Sequence, residues 1–312
     1  MKTFAKIKYI SLNSNDIMVC TEVITIKLTY TVLKEDDGKK VGNILRDKLN
    51  VSSRLLNKLK MNGKILVNRT SVFSSYIVHL NDEIEVNIDF EEEDNILPQQ
   101  MDLEILYEDE YFLAINKPFG TVVHPSSYHP NNTLANGVKY YLNNKKKIRA
   151  INRLDRDTSG IVLFAKNEYI QELMIKDKNI NKEYFAIVLG KLENTKGTIN
   201  APIARKCGSI MEREINEEGQ SAITHYEVVK FIKEKDISLL HLKLETGRTH
   251  QIRVHLAYIG HSILGDTLYG LETNLITRQA LHAYKMTFIH PISNVKVEII
   301  SPIPNDMEQI LK

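Results

Sequence analysis

The chain has 312 residues, of which 43% are hydrophobic and 26% are charged, a composition typical of an ordinary globular protein. Its two cysteines, Cys20 and Cys207, are too few for a disulfide framework or a four-cysteine zinc site, and they fit a reducing cytoplasm. No stretch reaches the roughly 18 apolar residues that a membrane span requires, and the N-terminus lacks the apolar core of a signal peptide. The sequence therefore predicts a cytoplasmic protein that does not enter a membrane.

The charges are arranged in blocks, although the net charge is only +2. Residues 41–80 carry seven Lys or Arg and one acid, whereas residues 81–110 carry thirteen acids and no Lys or Arg. A reversal of this kind indicates a boundary between modules, although a basic block can also be a solvated surface. The predicted organisation is an N-terminal extension at 1–21, a small α+β domain at 22–90, an acidic linker at 91–100 and a larger domain at 101–312.

The small domain combines strand and helix patterns. Its predicted elements are, in chain order, a strand at 24–32, a helix at 41–49, a helix between 52 and 63, and strands at 65–67 and 84–88. Arg54 and Lys58 can lie on exposed faces of the second helix, where basic side chains suit an RNA phosphate backbone. The small domain is therefore a candidate RNA-binding unit.

The larger domain mixes helices and strands without a regular alternation. Its predicted elements are strands at 103–107 and 111–115, a helix at 133–142, a helix capped by Asn167, strands at 182–190, 222–231 and 237–245, a helix capped by Thr249, and further strands up to residue 300. Such a mixture predicts an α+β fold around a largely antiparallel sheet.

The segment NRLDRDTSG at 152–160 places Asp155 between two arginines, directly before the apolar run at 161–165. A turn that leads into a buried strand can hold a charged carboxylate away from water, which prepares an aspartate to act as a nucleophile or a base. Asp157 can share a face with Asp155, as in the carboxylate pair of a glycoside hydrolase. However, that chemistry requires one protonated carboxyl, which flanking arginines disfavour. A purely structural ion-pair network is the other alternative.

Two later segments carry further candidates. Residues 182–190 place Tyr184 in a strand that is otherwise predicted to be buried, where it is either a core tyrosine or a site residue. Residues 242–256 place Arg248 at a glycine turn after a buried strand, from which it can reach an interior carboxylate. In the same segment, a helix would separate His250 and His255 by roughly 140°. A metal site shared by these two histidines is therefore not predicted.

Three segments together resemble the signature motifs of RluA-type pseudouridine synthases: RLDRDTSG at 153–160, KEYFAIVLG at 182–190 and TGRTHQIRVH at 246–255. They occur in the family's order, and the resemblance extends over essentially all of 101–300. Shorter segments also match, namely NKPFG at 116–120, VHP at 123–125, GHSILGD at 260–266 and LYG at 268–270. The small domain resembles the αL-type RNA-binding motif of a ribosomal protein. Asn152 stands where the family usually has His, which makes it a candidate modulator of RNA contact.

This resemblance implies an isomerase that converts uridine in RNA to pseudouridine. Asp155 would be the nucleophile, Arg248 its ion-pair partner, and Tyr184 a ring stacked on the uracil near carbon 5. Arg153 would enter the space that the flipped base leaves. The residues expected to contact RNA phosphates are Arg54, Lys58, Lys145, Lys147 and Arg149.

The implied reaction breaks the bond from ribose to nitrogen 1 of uracil and rejoins the base through carbon 5. Neither electrons nor phosphate groups are exchanged, so no cofactor and no metal are expected. The expected partner is ribosomal RNA, with transfer RNA as the alternative, and nothing in the sequence requires a protein partner or more than a monomer. A pure RNA-binding protein and a nucleoside or glycoside hydrolase are the competing interpretations. Neither of them requires Tyr184 and Arg248 together with Asp155.

Overall fold

The computed structural model describes residues 26–90, 94–143, 147–176 and 180–312. The helices of these residues are Val41–Asp47 (α1), Ser53–Met61 (α2), Leu134–Tyr141 (α3), Glu168–Lys176 (α4), Gln251–Tyr258 (α5) and Asn305–Leu311 (α6). Short 3₁₀ turns lie at Lys34–Asp36 and Lys233–Lys235. None of these helices has the length and apolar character that a membrane crossing requires.

The strands of the described residues form three sheets. They are Ile26–Thr31 (β1), Ile65–Val67 (β2), Thr70–Ser71 (β3), Glu83–Ile88 (β4), Ile105–Glu108 (β5), Phe112–Lys117 (β6), Arg149–Ala150 (β7), Ser159–Ala165 (β8), Asn181–Leu189 (β9), Lys196–Asn200 (β10), Ile203–Arg205 (β11), Arg213–Ile215 (β12), Ile223–Ile232 (β13), Ile237–Leu244 (β14), Leu281–Ile289 (β15) and Lys296–Ile300 (β16). These bounds agree closely with the predicted elements, but the prediction that Thr249 caps the helix α5 is wrong, because His250 occupies the N-cap and no side chain caps this helix.

The N-terminal unit is a four-stranded antiparallel sheet, in the order β1–β4–β2–β3, covered by α1 and α2. Helix α2 forms because Leu55, Leu56 and Leu59 lie on one face and are buried, while the Ser52 hydroxyl caps the helix by accepting from the Leu55 amide at 3.1 Å. Gly63 follows the helix with a φ of +63°, a conformation that favours glycine. The predicted helix between 52 and 63 is therefore confirmed.

The second unit is built on a ten-stranded sheet whose main path is β10–β13–β14–β9–β15–β8–β6–β5. Its pairings are antiparallel except for the parallel contact between β15 and β8, which confirms a largely antiparallel mixed sheet. Strand β15 lies between β9 and β8 and so joins the two halves of the sheet. Strands β16 and β7 extend it beside β15 and β8, and β11 and β12 form a separate hairpin.

The contact between β8 and β15 depends on Gly160. Its φ is +110°, and a Cβ atom at this position would lie 2.3 Å from the carbonyl oxygen of Ala283. Only glycine allows the two backbones to approach this closely. All seven residues of β8 are buried, as the apolar run predicted. Because β8 lies between β15 and β6, the loop that precedes it lies at the centre of the sheet.

The two units share one continuous hydrophobic cluster. The Tyr169 hydroxyl of α4 donates to the Leu49 carbonyl at 2.8 Å across the contact. In the predicted linker, Asp94 binds the Lys139 ammonium at 2.8 Å and accepts from the Ile148 amide at 2.9 Å. Residues 94–100 are therefore attached to the larger unit. The predicted extension at 1–21 lies outside the described residues, and the domain limits stay a prediction.

Candidate active site

Asp155 lies in the loop between β7 and β8, at the centre of the large sheet. Its side chain is 29% exposed, so the carboxylate is open to a ligand without being fully solvated. Its Oδ2 atom accepts a hydrogen bond of 3.1 Å from Nη1 of Arg253, a residue that is 98 positions further along the chain. The loop therefore presents a carboxylate whose charge is balanced by an arginine from α5.

Arg253 is fixed by a second carboxylate. Its Nε and Nη2 atoms donate to the two oxygens of Asp266 at 2.7 and 2.8 Å, and the Asp266 side chain is fully buried. The Tyr269 ring lies 5.0 Å from the guanidinium carbon. Burial alone would lower the pKa of Arg253, but the hydrogen bonds and charges of Asp266 and Asp155 raise it. The fork with Asp266 thus leaves Nη1 aimed at Asp155.

The prediction that Arg248 pairs with Asp155 is wrong, because the structure gives this place to Arg253. Helix α5 begins at Gln251, after His250 in the left-handed conformation with a φ of +57°. Arg248 therefore belongs to the preceding loop, where it is exposed and its Nε donates to the Ser221 carbonyl at 3.1 Å. Arg253 lies in the first turns of α5, among residues that are all buried from 251 to 256.

Tyr184 reaches the same site from β9. It pairs with Ala283 of β15, which in turn pairs with Gly160 of β8, so one strand separates it from the start of β8. Only 7% of Tyr184 is exposed. Burial, with a further contribution from the Asp155 charge, raises the pKa of Tyr184 well above its usual value. The hydroxyl is therefore protonated at neutral pH in the absence of RNA.

Lys117 holds the Asp155 loop by a hydrogen bond to the Arg156 carbonyl, a role that the sequence did not reveal. It is fully buried at the end of β6, and its ammonium donates to the carbonyls of Pro118, Thr121 and Arg156 at 2.7–2.8 Å. Burial lowers the pKa of Lys117 to about 7, against the opposing charges of Asp157 and Asp155. The sequence signals were a lysine at the end of a mostly apolar strand and the NKPFG match at 116–120, neither of which indicated this role.

His250 is the second residue near Asp155 that the prediction missed. Its Nε2 lies 3.7 Å from Asp155 Oδ2, and its Nδ1 lies 2.9 Å from the Tyr269 hydroxyl. Its pKa is lowered mainly by burial, which the Asp155 charge opposes and the Arg253 and Arg213 charges assist. His250 is therefore expected to be neutral at pH 7.

The two histidines of this segment do not share a ligand. His255 is fully buried, and its ring nitrogens lie 2.9 Å from the Thr224 hydroxyl and the Ala201 carbonyl. Among residues 26–90, 94–143, 147–176 and 180–312, no group of three or more His, Cys, Asp or Glu could hold a metal ion.

Asp157, the second carboxylate that a hydrolase would need, is paired with Arg156. Arg156 donates to the Asp157 carboxylate through hydrogen bonds of 3.1–3.3 Å. The pair is therefore formed by neighbours in sequence, and Asp155 takes no part in it. This contact gives Asp157 a local structural role in place of the acid role that the hydrolase interpretation requires.

Comparisons with known proteins agree with this arrangement. A family model described as RNA pseudouridylate synthase matches residues 111–258. The uncharacterized RNA pseudouridine synthase YhcT of Bacillus subtilis is 37% identical over 291 residues, which cover 91% of this chain and 96% of the relative. The chain belongs to the RluA-type RNA pseudouridine synthases. This synthase is therefore an isomerase that acts on RNA.

Two further relatives extend the comparison to other organisms. Ribosomal large subunit pseudouridine synthase D of Escherichia coli K12 is 32% identical to the synthase over 309 residues, covering 92% of this chain and 94% of the relative. The solved structure of human RNA pseudouridylate synthase domain containing 1 has a TM-score of 0.55 and 27% identity, over 64% of this chain and 83% of that chain. The mixed α+β fold of the synthase is thus shared with a solved RNA pseudouridylate synthase domain.

Of the residues predicted to contact RNA at the active site, Arg153 is well placed. It is exposed two residues before Asp155, and its charge adds to burial in lowering the pKa of His124. Asn152 is different, because its buried amide donates to the Ile161 carbonyl and accepts from the Leu163 amide, both at 2.9 Å. Asn152 therefore holds the loop against β8 of the synthase, and its predicted influence on RNA contact stays a prediction.

The remaining predicted RNA contacts have mixed outcomes. Arg149 is only 4% exposed on β7, so the prediction that it binds phosphates is wrong. Lys147 is half-buried, and Lys145 lies outside the described residues. Arg54 is 76% exposed and lies 3.4 Å from Glu168, whereas Lys58 is 27% exposed and lies 3.3 Å from the same carboxylate. Lys58 thus contributes to the contact between the two units of the synthase, and Arg54 has surface free for RNA.

Proposed function

We propose that the synthase converts uridine in ribosomal RNA to pseudouridine, with Asp155 as the nucleophile and without a cofactor. The observation that carries this proposal is the hydrogen bond from the fixed guanidinium of Arg253 to Asp155, close enough to the buried Tyr184 that the Asp155 charge helps raise the Tyr184 pKa. Relatives named as acting on the large ribosomal subunit favour ribosomal RNA, and transfer RNA is the alternative. Ribosomal RNA as the substrate also implies action in the cytoplasm.

Each side chain then has a task in the reaction. Asp155 reacts with the target nucleotide, and the bond from ribose to nitrogen 1 of uracil breaks. Arg253 balances the carboxylate charge, and Tyr184 stacks on the uracil, which contributes roughly 1–3 kcal/mol. This stacking holds the base while it turns and joins the ribose through carbon 5. Carbon 5 loses its proton beside Tyr184, nitrogen 1 takes up a proton, and Asp155 is released as a free carboxylate, so that the product is an isomer of the substrate.

The target uridine must first leave its stack, which costs a few kcal/mol. Arg153 is exposed at the mouth of the site and can fill the space that the base leaves. Arg54 adds a phosphate contact from the small unit, because most of its side chain faces solvent.

The direct test replaces Asp155 with Asn and follows both binding and chemistry on large-subunit ribosomal RNA transcribed in vitro. Asp155→Asn should bind this RNA with nearly unchanged affinity and should form no pseudouridine, as measured by primer extension after pseudouridine-specific labelling. Asp157→Asn is the matched control, because it removes a neighbouring carboxylate that pairs with Arg156, and it should remain active.

Other outcomes would identify the competing functions. Pseudouridine formation by Asp155→Asn at the wild-type rate would refute the role of this carboxylate. Release of free uracil by the wild-type protein would favour a hydrolase. Binding without any modification of ribosomal or transfer RNA by the wild-type protein would favour a pure RNA-binding protein.

A further inference from the structure

The hairpin of β11 and β12 brings two arginines side by side near the active site. Arg205 and Arg213 are directly opposite each other in the antiparallel register, two residues beyond the pair of Ile203 and Ile215. Residues that are opposite in such a pair share one face of the sheet. Like charges in this position are destabilising unless an anion lies between or beside them.

A third arginine lines the same cleft, which has a volume of about 340 Å³. This is Arg248, which lines the cleft with Arg205, Arg213 and Thr249. Hydrogen bonds to the backbone fix two of the guanidinium groups: Arg248 Nε donates to the Ser221 carbonyl at 3.1 Å, and Arg213 Nη1 donates to the Glu212 carbonyl at 2.9 Å. The cleft therefore presents positive charges in fixed directions.

These charges have no acidic partner in the part of the chain that the structure describes. Glu218 also lines the cleft, but no carboxylate of the described residues lies within 4.0 Å of a guanidinium nitrogen of Arg205, Arg213 or Arg248. Most other arginines near the site differ in this respect, since Arg253 binds Asp266 and Asp155 and Arg278 binds Asp306. The three-arginine cleft is thus arranged to receive an anion from outside the protein.

The three-arginine cleft adjoins the reacting carboxylate. The Arg213 amide donates to the Tyr269 hydroxyl at 2.7 Å, and this hydroxyl lies 2.9 Å from His250 Nδ1. The other ring nitrogen of His250 lies 3.7 Å from Asp155 Oδ2. A strand of RNA with its target base at Asp155 would therefore have neighbouring nucleotides at the cleft.

We propose that Arg205, Arg213 and Arg248 bind backbone phosphates of the RNA strand next to the target uridine, an inference that rests on the proposed function. Guanidinium groups suit this ligand because they bind two phosphate oxygens at once and remain charged. Phosphate contacts carry no sequence information, so the three-arginine cleft fixes the position of the strand and does not read its bases. Arg248 thus has a role in RNA binding rather than the pairing with Asp155 that its motif suggested.

The test measures how RNA affinity depends on salt concentration. The variants Arg205→Gln and Arg248→Gln are made in the full-length Asp155→Asn protein, so that the RNA is not modified during the titration. The probe is large-subunit ribosomal RNA transcribed in vitro. Each variant should lose affinity by roughly tenfold. Each should also reduce the slope of log K against log salt by about 0.7–0.9.

Two controls separate the three-arginine cleft from general electrostatics. Lys296→Gln removes an exposed cation on β16 and should leave both affinity and slope unchanged. Arg248→Lys keeps the charge but not the two-pronged geometry, so it should retain the slope while losing part of the affinity. Unchanged slopes in both Arg→Gln variants, or an equal loss in Lys296→Gln, would overturn the inference.

The source of the phosphate and the reaction are tested separately. Inorganic phosphate alone is titrated against the same proteins, and saturation at micromolar concentration would indicate a free-anion site and overturn the assignment to RNA. Pseudouridine formation by the wild-type protein is measured on the same RNA. Its absence would refute the proposed reaction, whereas the salt slopes would still report whether the three-arginine cleft contacts RNA.

Discussion

Replacement of Arg253 with Met should separate the structural role of this arginine from its catalytic role. Arg253 joins two carboxylates, the fully buried Asp266 and the partly exposed Asp155. Loss of one partner from a buried ion pair typically costs about 3–5 kcal/mol, because the remaining charge has no counterpart. Arg253→Met should therefore lower the free energy of unfolding by about this amount, as measured by urea denaturation.

The double variant Arg253→Met/Asp266→Asn should recover most of this stability. The amide oxygen of the introduced asparagine can still accept from the Leu268 and Tyr269 amides, which bind Asp266 Oδ1 at 3.0 and 3.2 Å in the native protein, and the uncompensated charge is gone. A difference of at least about 2 kcal/mol between the single and double variants is expected. Asp266→Asn alone is the control for any effect of the amide itself.

Catalysis should not recover with stability. The Asp155–Arg253 contact at 3.1 Å corresponds to about 5 kcal/mol at an effective dielectric constant near 20. Solvent reaches 29% of Asp155, so about 2–3 kcal/mol is a better value, and kcat should fall by roughly a hundredfold in both variants. If the stable double variant regains the wild-type single-turnover rate, Arg253 acts only by holding Asp266, and the pairing with Asp155 has no catalytic role.

Two other changes test the remaining parts of the site, and a third tests His282, a buried residue of β15 whose Nδ1 lies 2.9 Å from the Ser159 hydroxyl of β8. Tyr184→Phe keeps the stacking ring, so RNA affinity should stay within about twofold while the single-turnover rate falls, and an unchanged rate would exclude a role for the hydroxyl. Lys117→Met leaves the Arg156 carbonyl without its donor, so the free energy of unfolding should fall by about 1–3 kcal/mol. The single-turnover rate should also fall, because Asp155 is the residue next to Arg156. A variant with wild-type kinetics would contradict this role. Burial lowers the pKa of His282 from 6.5 to about 4, so the folded state holds this proton less tightly than the unfolded chain. The free energy of unfolding should thus decrease as pH falls from about 6.5 to about 4, by about 3 kcal/mol from this group. His282→Gln should flatten that slope in urea titrations, and an identical slope would show that other groups cause it.

Local patterns predicted the elements well because burial decides them. The apolar run at 161–165 and the segment at 182–190 became β8 and β9, and Asp155 was found from the turn that precedes β8. The choice between Arg248 and Arg253 was harder, since both lie in one motif. Which arginine reaches Asp155 depends on where α5 begins, because Arg253 lies within the helix and Arg248 lies before it. The helix begins after His250, whose left-handed conformation is not indicated by the usual N-cap residue preferences.

Contacts between distant segments explain the other errors. Lys58 was read as a surface cation, but Glu168 lies 110 residues later in the chain and meets it at the contact between the two units. Arg149 was taken for part of a basic loop, whereas it lies on β7, which pairs with β8. Pairing and burial of this kind follow from tertiary packing, which composition and periodicity do not contain.

The position of β15 between β9 and β8 has a consequence for the synthesis of this protein. Asp155 precedes β8 on one half of the sheet, whereas Tyr184 and Arg253 belong to the other half, with β9 and with α5 after β14. Residues 281–289 must therefore leave the ribosome before the halves can join. Because such long-range pairings form late in folding, a nascent chain that already carries Asp155, Tyr184 and Arg253 still lacks an assembled site until β15 has been added. Isomerase activity therefore requires that β15 has left the ribosome and paired with both β9 and β8.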